Sequence, residues 1–121
     1  MKYDLDLVRK ILQATEDHPH GSLDDNPTIE GYTSEQVGYH VYIMEQDSLV
    51  KAIDDSSMDS PSPFWRVLSL TAKGHEFLAL SKSAATWNKA KEKIAEAGIS
   101  VTLTTIFDVL KSFANAYTKS L

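Results

Sequence analysis

The 121-residue chain contains no cysteine. That excludes a disulfide scaffold, a thiolate metal site, an iron–sulfur cluster and a cysteine nucleophile, and it favours a reducing compartment. No run of about eighteen apolar residues occurs, so no membrane-spanning helix is expected. The opening stretch MKYDLDLVRK puts aspartates where a secretory signal needs an apolar core, and the protein is read as cytoplasmic. A Gly-rich phosphate loop and a Gly-x-Ser-x-Gly elbow are also missing, so neither catalysis nor a cofactor is expected. The most telling scarcity is local. Residues 11 to 50 hold no Lys or Arg, yet they carry Glu16, Asp17, Asp24, Asp25, Glu30, Glu35, Glu45 and Asp47.

The formal charge of −5 comes from 12 basic and 17 acidic side chains, and it is unevenly distributed. Residues 1 to 64 hold four basic against thirteen acidic groups, and residues 65 to 121 hold eight basic against four acidic. The two halves thus suit different partners, or each other. At this length roughly 65% of the unfolded chain's surface can be buried, enough for a core without metal or disulfide staples.

The hydrophobic pattern predicts mostly helix. Asp4 is a suitable N-cap ahead of Leu5, Val8, Ile11 and Leu12, and Pro19 ends that helix. Residues 18 to 32 concentrate Pro, Gly, Asn and Asp and read as a loop, with Ile29 to Tyr32 as a short extended piece. Thr33 or Ser34 caps a second helix, seamed by Val37, Val41 and Met44 and finishing near Asp47. Leu49 to Ile53 and Phe64 to Leu70 read as a hairpin with a long, turn-forming tip. Thr71 caps a helix to about Leu80. Another runs from about Ala84 to Ala97, with Trp87, Ala90, Ile94 and Ala97 inward and Gly98 just beyond its end. The last starts near Thr102 with the stripe Leu103, Ile106, Phe107, Leu110, Phe113, Ala114 and Tyr117. It packs on the first helix or forms a homodimer interface. The expected fold is α+β, mostly α: a winged helix with a two-stranded wing, residues 1–80 forming its core and 81–121 a C-terminal helical extension of the same domain.

Residues 37 to 50, VGYHVYIMEQDSLV, resemble the end of the recognition helix and the entry to the wing in winged-helix repressors. Asp47-Ser48 stands where those repressors usually carry Ala-Gly, so Ser takes the helix-ending position at some strain. Four segments, His18-Pro19, Gly38-Tyr39-His40, Leu70-Thr71-Ala72-Lys73-Gly74-His75-Glu76-Phe77-Leu78 and Trp87-Asn88-Lys89-Ala90-Lys91, resemble the phage and bacterial family known as domain of unknown function 2513. The resemblance implies a winged-helix-like fold and a phage or prophage setting, and it supplies no catalytic residues.

Two partner classes fit these features. For double-stranded DNA, the second helix would present Ser34, Glu35, Gln36, Gly38, Tyr39 and Tyr42 to the major groove, with Gln36 reading adenine, Glu35 accepting from cytosine, and Tyr39 or His40 on phosphate. Lys51 and Arg66, joined by Lys2, Arg9 and Lys10, supply the nearby cations, whereas Asp54, Asp55 and Asp59 of the wing repel a backbone. The expected function is therefore a small DNA-binding, transcription-regulatory protein. The alternative is a protein-interaction module whose acidic winged-helix face attracts a basic partner. Lys82, Lys89, Lys91 and Lys93 read as a solvated helix face rather than a nucleic-acid stripe. His18, His20, His40 and His75 lack metal-ligand spacing. His40 and His75 read as half-buried groups satisfied by carbonyls or by each other, and Trp65, Trp87, Phe64, Phe77, Phe107 and Phe113 as core.

Overall fold

A computed structural model of the chain describes residues 3–18, 26–54, 65–99 and 102–120. Among these residues the architecture is α+β and mostly helical, with five helices and one two-stranded antiparallel sheet. The order is α1 (Leu5–Asp17), α2 (Ser34–Gln46), β1 (Val50–Asp54), β2 (Trp65–Leu70), α3 (Ala72–Ser81), α4 (Ala84–Glu96) and α5 (Leu103–Ser120). No helix among the described residues is long and apolar enough to cross a membrane. The hairpin tip and the Pro- and Gly-bearing segment from Pro19 to Asp25 lie outside the described residues. The chain forms two compact units, Met1–His75 and Glu76–Leu121.

Helix starts follow local chemistry. Asp4 accepts from the backbone N–H groups of Asp6 and Leu7 and so caps α1. Thr33 caps α2 in a reciprocal box: its hydroxyl accepts from the Gln36 N–H, and the Gln36 side-chain carbonyl accepts from the Thr33 N–H. Thr71, Ser83 and Thr102 each accept the N–H three residues on, at the starts of α3, α4 and α5. Helix ends are equally local. After α2 the Leu49 N–H bonds to Met44 O and the Ser48 N–H to Glu45 O, a Schellman closure with Ser48 at φ +64°. Gly98, at φ +71°, closes α4 in the same way through Ile94 and Ala95. The strained serine expected from the sequence is therefore present.

In the first unit α1 packs on α2 and β2, and α2 packs on both strands. Leu5, Leu7, Val8, Ile11 and Leu12 of α1, Val37, Val41 and Met44 of α2, and Leu49, Val50 and Val67 around the hairpin are buried together with Ile29. The sheet pairs Val50 with Leu70, Lys51 with Ser69, Ala52 with Val67, Ile53 with Arg66 and Asp54 with Trp65. The register shift between Lys51 and Ala52 leaves Leu68 as an extra residue on β2, a bulge. Residues 29–32 differ from expectation: Tyr32 N–H bonds back to Ile29 O and Gly31 has φ +86°, so this piece is a turn rather than extended chain. Asn26 supplies the strand-like pairing instead. Its side-chain amide donates to Trp65 O and accepts from Val67 N–H, both at 2.8 Å, along the edge of β2 not paired to β1.

Within the Leu70–Leu78 run, Gly74 meets a steric requirement. The Leu49 carbonyl accepts from the Thr71 N–H and sits so close to Gly74 that a β-carbon there would collide with it. The Thr71 hydroxyl also donates to Ser48 O at 2.5 Å, tying the start of α3 to the end of α2.

In the second unit Phe77, Leu78, Trp87, Ala90, Ile94, Leu103, Ile106, Phe107 and Leu110 are buried. The Phe77 ring lies 6.0 Å from Trp87 and 5.4 Å from Phe107, both edge-on. Leu103, Ile106, Phe107 and Leu110 of the α5 stripe thus pack within the chain, where α5 meets α4 and Phe107 meets Phe77. Ala97, expected inward, is exposed because it is the C-cap of α4 rather than a residue of its buried face.

Candidate recognition surface

Helix periodicity sorts the exposed side of α2. Residues four and seven apart share a face, so Glu35, Tyr39, Tyr42 and Gln46 form an outward stripe, with Val37, His40, Val41 and Met44 turned to the core. Ser34 and Glu35 are exposed, and Gln36, Tyr39 and Tyr42 are half-buried. Gly38 is buried, so it does not belong with the groove-facing residues expected from the sequence. Neither does His40, which is 1% exposed and out of reach of a phosphate.

His40 has a structural task. Its Nε2 accepts from the Asp4 N–H at 2.8 Å, and its Nδ1–H donates to Gln36 O at 2.7 Å, which fixes the tautomer. Tyr3 stacks on its ring at 5.5 Å, and Tyr39 meets it edge-on at 5.6 Å. Asp4 also accepts from the Tyr32 hydroxyl at 2.8 Å. One carboxylate therefore caps α1 while its own backbone anchors α2 through His40. His75 takes no part: its side chain is 59% exposed and its Nδ1 lies 3.8 Å from Glu16. The expected link from His40 to α3 is replaced by one to the start of α1.

Titration reflects this packing. The hydrogen bond to Asp4, then burial, then the charges of Asp4 and Asp6 push the Tyr32 phenol up to about 12. Tyr3 is raised further, first by burial and then by Asp47 and Tyr39. The Tyr3 hydroxyl is buried with no hydrogen-bond partner among the described residues.

Strand periodicity divides the remaining candidates. Alternate side chains point to opposite faces, so Ala52 and Asp54 share a face with Val67 and Trp65, while Lys51 and Ile53 share the other with Arg66. The Trp65 face turns to α2, where its ring lies 5.4 Å from that of Tyr42 at 54°. Tyr39, Tyr42, Asp54 and Trp65 line a cleft of about 360 Å³. Tyr39 and Tyr42, both singled out from the sequence, are brought together here. Lys51 and Arg66 are on the other face of the ribbon. Trp65, read from the sequence as core, is half-buried at the cleft, at the start of β2 and paired with Asp54. Phe64 lies outside the described residues. Asp54 and Trp65 were missed as a pair because only hairpin register aligns them.

Elsewhere the surface lysines serve packing. Lys89 and Lys93, one helical turn apart, both lie 5.4 Å from the Phe113 ring, Lys91 is 6.0 Å from Trp87, and Lys111 is 4.4 Å from Phe107.

A family model described as "Hypothetical protein (DUF2513)" matches residues 2–100. A Haemophilus influenzae protein with the name "Uncharacterized protein" is 35% identical over 114 residues, covering 93% of this chain and 94% of the relative. No solved structure matches the chain. The match over residues 2–100 takes in the α2 stripe, the hairpin and the Leu70–Leu78 run. The chain belongs to the family of domain of unknown function 2513.

Proposed function

We propose that this protein is a winged-helix recognition module that binds a basic segment of a partner protein through the outward face of α2 and the adjoining face of the hairpin. The observation that carries the reading is the α2 stripe of Glu35, Tyr39, Tyr42 and Gln46, which is acidic and aromatic and adjoins Trp65 and Asp54. Duplex DNA draws most of its non-specific affinity from Lys and Arg on phosphates, and α2 has neither. Gln36, the candidate adenine reader, spends its side-chain carbonyl on Thr33, whereas a bidentate adenine contact uses both ends of the amide. The winged-helix architecture is supported by α1, α2 and the hairpin in that order, and by Asn26 pairing with β2 where a short third strand would run. A phage or prophage setting rests on the family resemblance alone.

A second reading, double-stranded DNA, is favoured by one observation: Lys51 and Arg66 share the outer ribbon face. One experiment separates the two. Fluorescence anisotropy is recorded with an arginine- and lysine-rich peptide and with a random-sequence duplex, raising salt from low ionic strength. The expected result is tighter binding of the peptide, weakened by Glu35→Gln with Asp54→Asn. Tighter binding of duplex, lost in Lys51→Glu with Arg66→Glu, overturns the proposal in favour of DNA.

A further inference from the structure

Asn26 links the two elements that carry the recognition surface. Its side-chain amide donates to Trp65 O and accepts from Val67 N–H, each at 2.8 Å, across 39 and 41 residues of sequence. A donor and an acceptor used at once fix which end of the amide is which. Donation to the carbonyl of one residue and acceptance from the N–H two residues on is the pattern that a single residue of a parallel strand makes, so one side chain stands in for a third strand beside β2. From Asn26 the chain runs to α2 in a segment held along its length. Ile29 is buried, the Tyr32 N–H returns to Ile29 O, the Tyr32 hydroxyl reaches Asp4, and Thr33 caps α2. The segment is a strap, tied to β2 at Asn26 and to α2 at Thr33.

We propose that Asn26 is a positioning residue for the recognition surface: by holding the backbone on either side of Arg66, its amide sets where the Trp65 ring meets Tyr42, and it tunes the binding of a basic segment through Trp65. The inference rests on the proposed recognition of a basic partner and assigns the residue that shapes the hairpin side of that surface. Trp65 is the first residue of β2, and Val67, two residues on, is fully buried. Their side chains share the face turned to α2, so the Asn26 bonds fall on the two residues whose side chains meet that helix. The Trp65 ring, 5.4 Å from Tyr42 and tilted 54°, is carried by a backbone attached on two sides, to β1 by the ladder and to Asn26 at its carbonyl. A two-stranded ribbon is the most strongly twisted and least self-supporting sheet. Asn26 supplies the further attachment at the position that carries the ring.

The test uses the full chain. Tryptophan indole N–H signals in NMR spectra report the position of the ring, and anisotropy of the same arginine- and lysine-rich peptide reports binding. Trp87, 1% exposed and in the other unit, is the internal reference. Asn26→Asp is the informative variant, because a carboxylate accepts from the Val67 N–H yet has no proton for Trp65 O, whereas a protonated carboxyl reproduces both amide bonds. At pH 7 the expected result is a displaced Trp65 signal in Asn26→Asp and in Asn26→Ala, with peptide affinity about two- to tenfold weaker in each, the scale of a lost hydrogen bond. As pH falls through the ordinary aspartate range, about pH 4, the Trp65 signal of Asn26→Asp should return to the wild-type position at the same pH, and that of Asn26→Ala should not. A merely structural role lowers stability and gives no such return. An unmoved Trp65 signal in either folded variant, movement in Asn26→Asp with no return in acid, or wild-type peptide affinity in both overturns the inference. Where Asn26→Ala does not fold, Asn26→Asp decides alone, measured from acid upward. Failure of the underlying reading looks different. No peptide binding by the wild-type chain, with the acid return intact, removes the recognition of a basic partner and leaves Asn26 as the residue that places Trp65.

Discussion

A side chain with a β-carbon costs about 1–2 kcal/mol in the left-handed region, and Ser48 sits there at φ +64° because the Schellman closure of α2 requires it. Its carbonyl, rather than its side chain, holds Thr71. Ser48→Gly should therefore raise unfolding stability by about 1 kcal/mol, measured by urea denaturation. Gly74 is the opposite case. A β-carbon would drive into the Leu49 carbonyl, so Gly74→Ala should cost about 1–3 kcal/mol or more in the same assay. The Tyr3 hydroxyl is buried without a hydrogen-bond partner among the described residues, and leaving such a group unpaired costs about 1–3 kcal/mol. Tyr3→Phe keeps the ring on His40 and should be neutral to stabilising. A clear loss of stability would show that the hydroxyl has a role. Tyr32 adds a pH signature. A phenol raised to about 12 from 10.0 keeps its proton longer in the folded state. Its contribution is therefore intact below pH 10 and lost as pH climbs toward 12. Urea melts between these limits should show stability falling, with a smaller fall in Tyr32→Phe.

At the scale of elements, α1 and α2 are joined by a hydrogen-bonded device rather than by apolar contact alone: Asp4 caps α1 and its N–H is held by His40 of α2. His40→Ala leaves the Asp4 N–H without its acceptor and should cost about 1–3 kcal/mol, whereas a surface change such as Gln46→Ala should be nearly silent. Five helix starts or ends were legible in the sequence because capping is local. Asp4, Thr33, Thr71, Gly98 and Thr102 all act where the sequence places them. The turn at Ile29–Tyr32 was not legible as one, since Gly31 at positive φ and extended chain leave the same residue types in sequence. Nor was the bulge at Leu68, which has no local signature and exists because β1 and β2 must both meet the core.

For the whole molecule, charge asymmetry is the property on which the proposed recognition of a basic partner draws. The first 64 residues carry thirteen acidic and four basic groups, and attraction of an exposed acidic face to a basic segment is screened within about 10 Å at 0.1 M salt. Peptide binding should therefore weaken as salt rises, mainly through slower association. Salt-insensitive binding would shift the weight from charge to the aromatic cleft. In the second unit Lys89, Lys91 and Lys93, which read as a solvated face, hold their heads over Phe113 and Trp87, which gives them a packing role compatible with that reading.

The sequence by itself determined the helical segments, their caps, the hairpin, the apolar stripes and the absence of Lys and Arg from residues 11 to 50. These are properties of residues near one another in the chain, set by periods of 3.6 and 2 and by backbone groups that must find nearby partners. Only the tertiary structure decided which exposed residues meet. It joined Tyr39 and Tyr42 of α2 to Trp65 and Asp54 of the hairpin, sent Lys51 and Arg66 to the other ribbon face, and took His40 inward to Asp4. The physical reason is that strand register and helix docking are fixed by burial of the common core, and surface neighbours from different elements are a consequence of that packing.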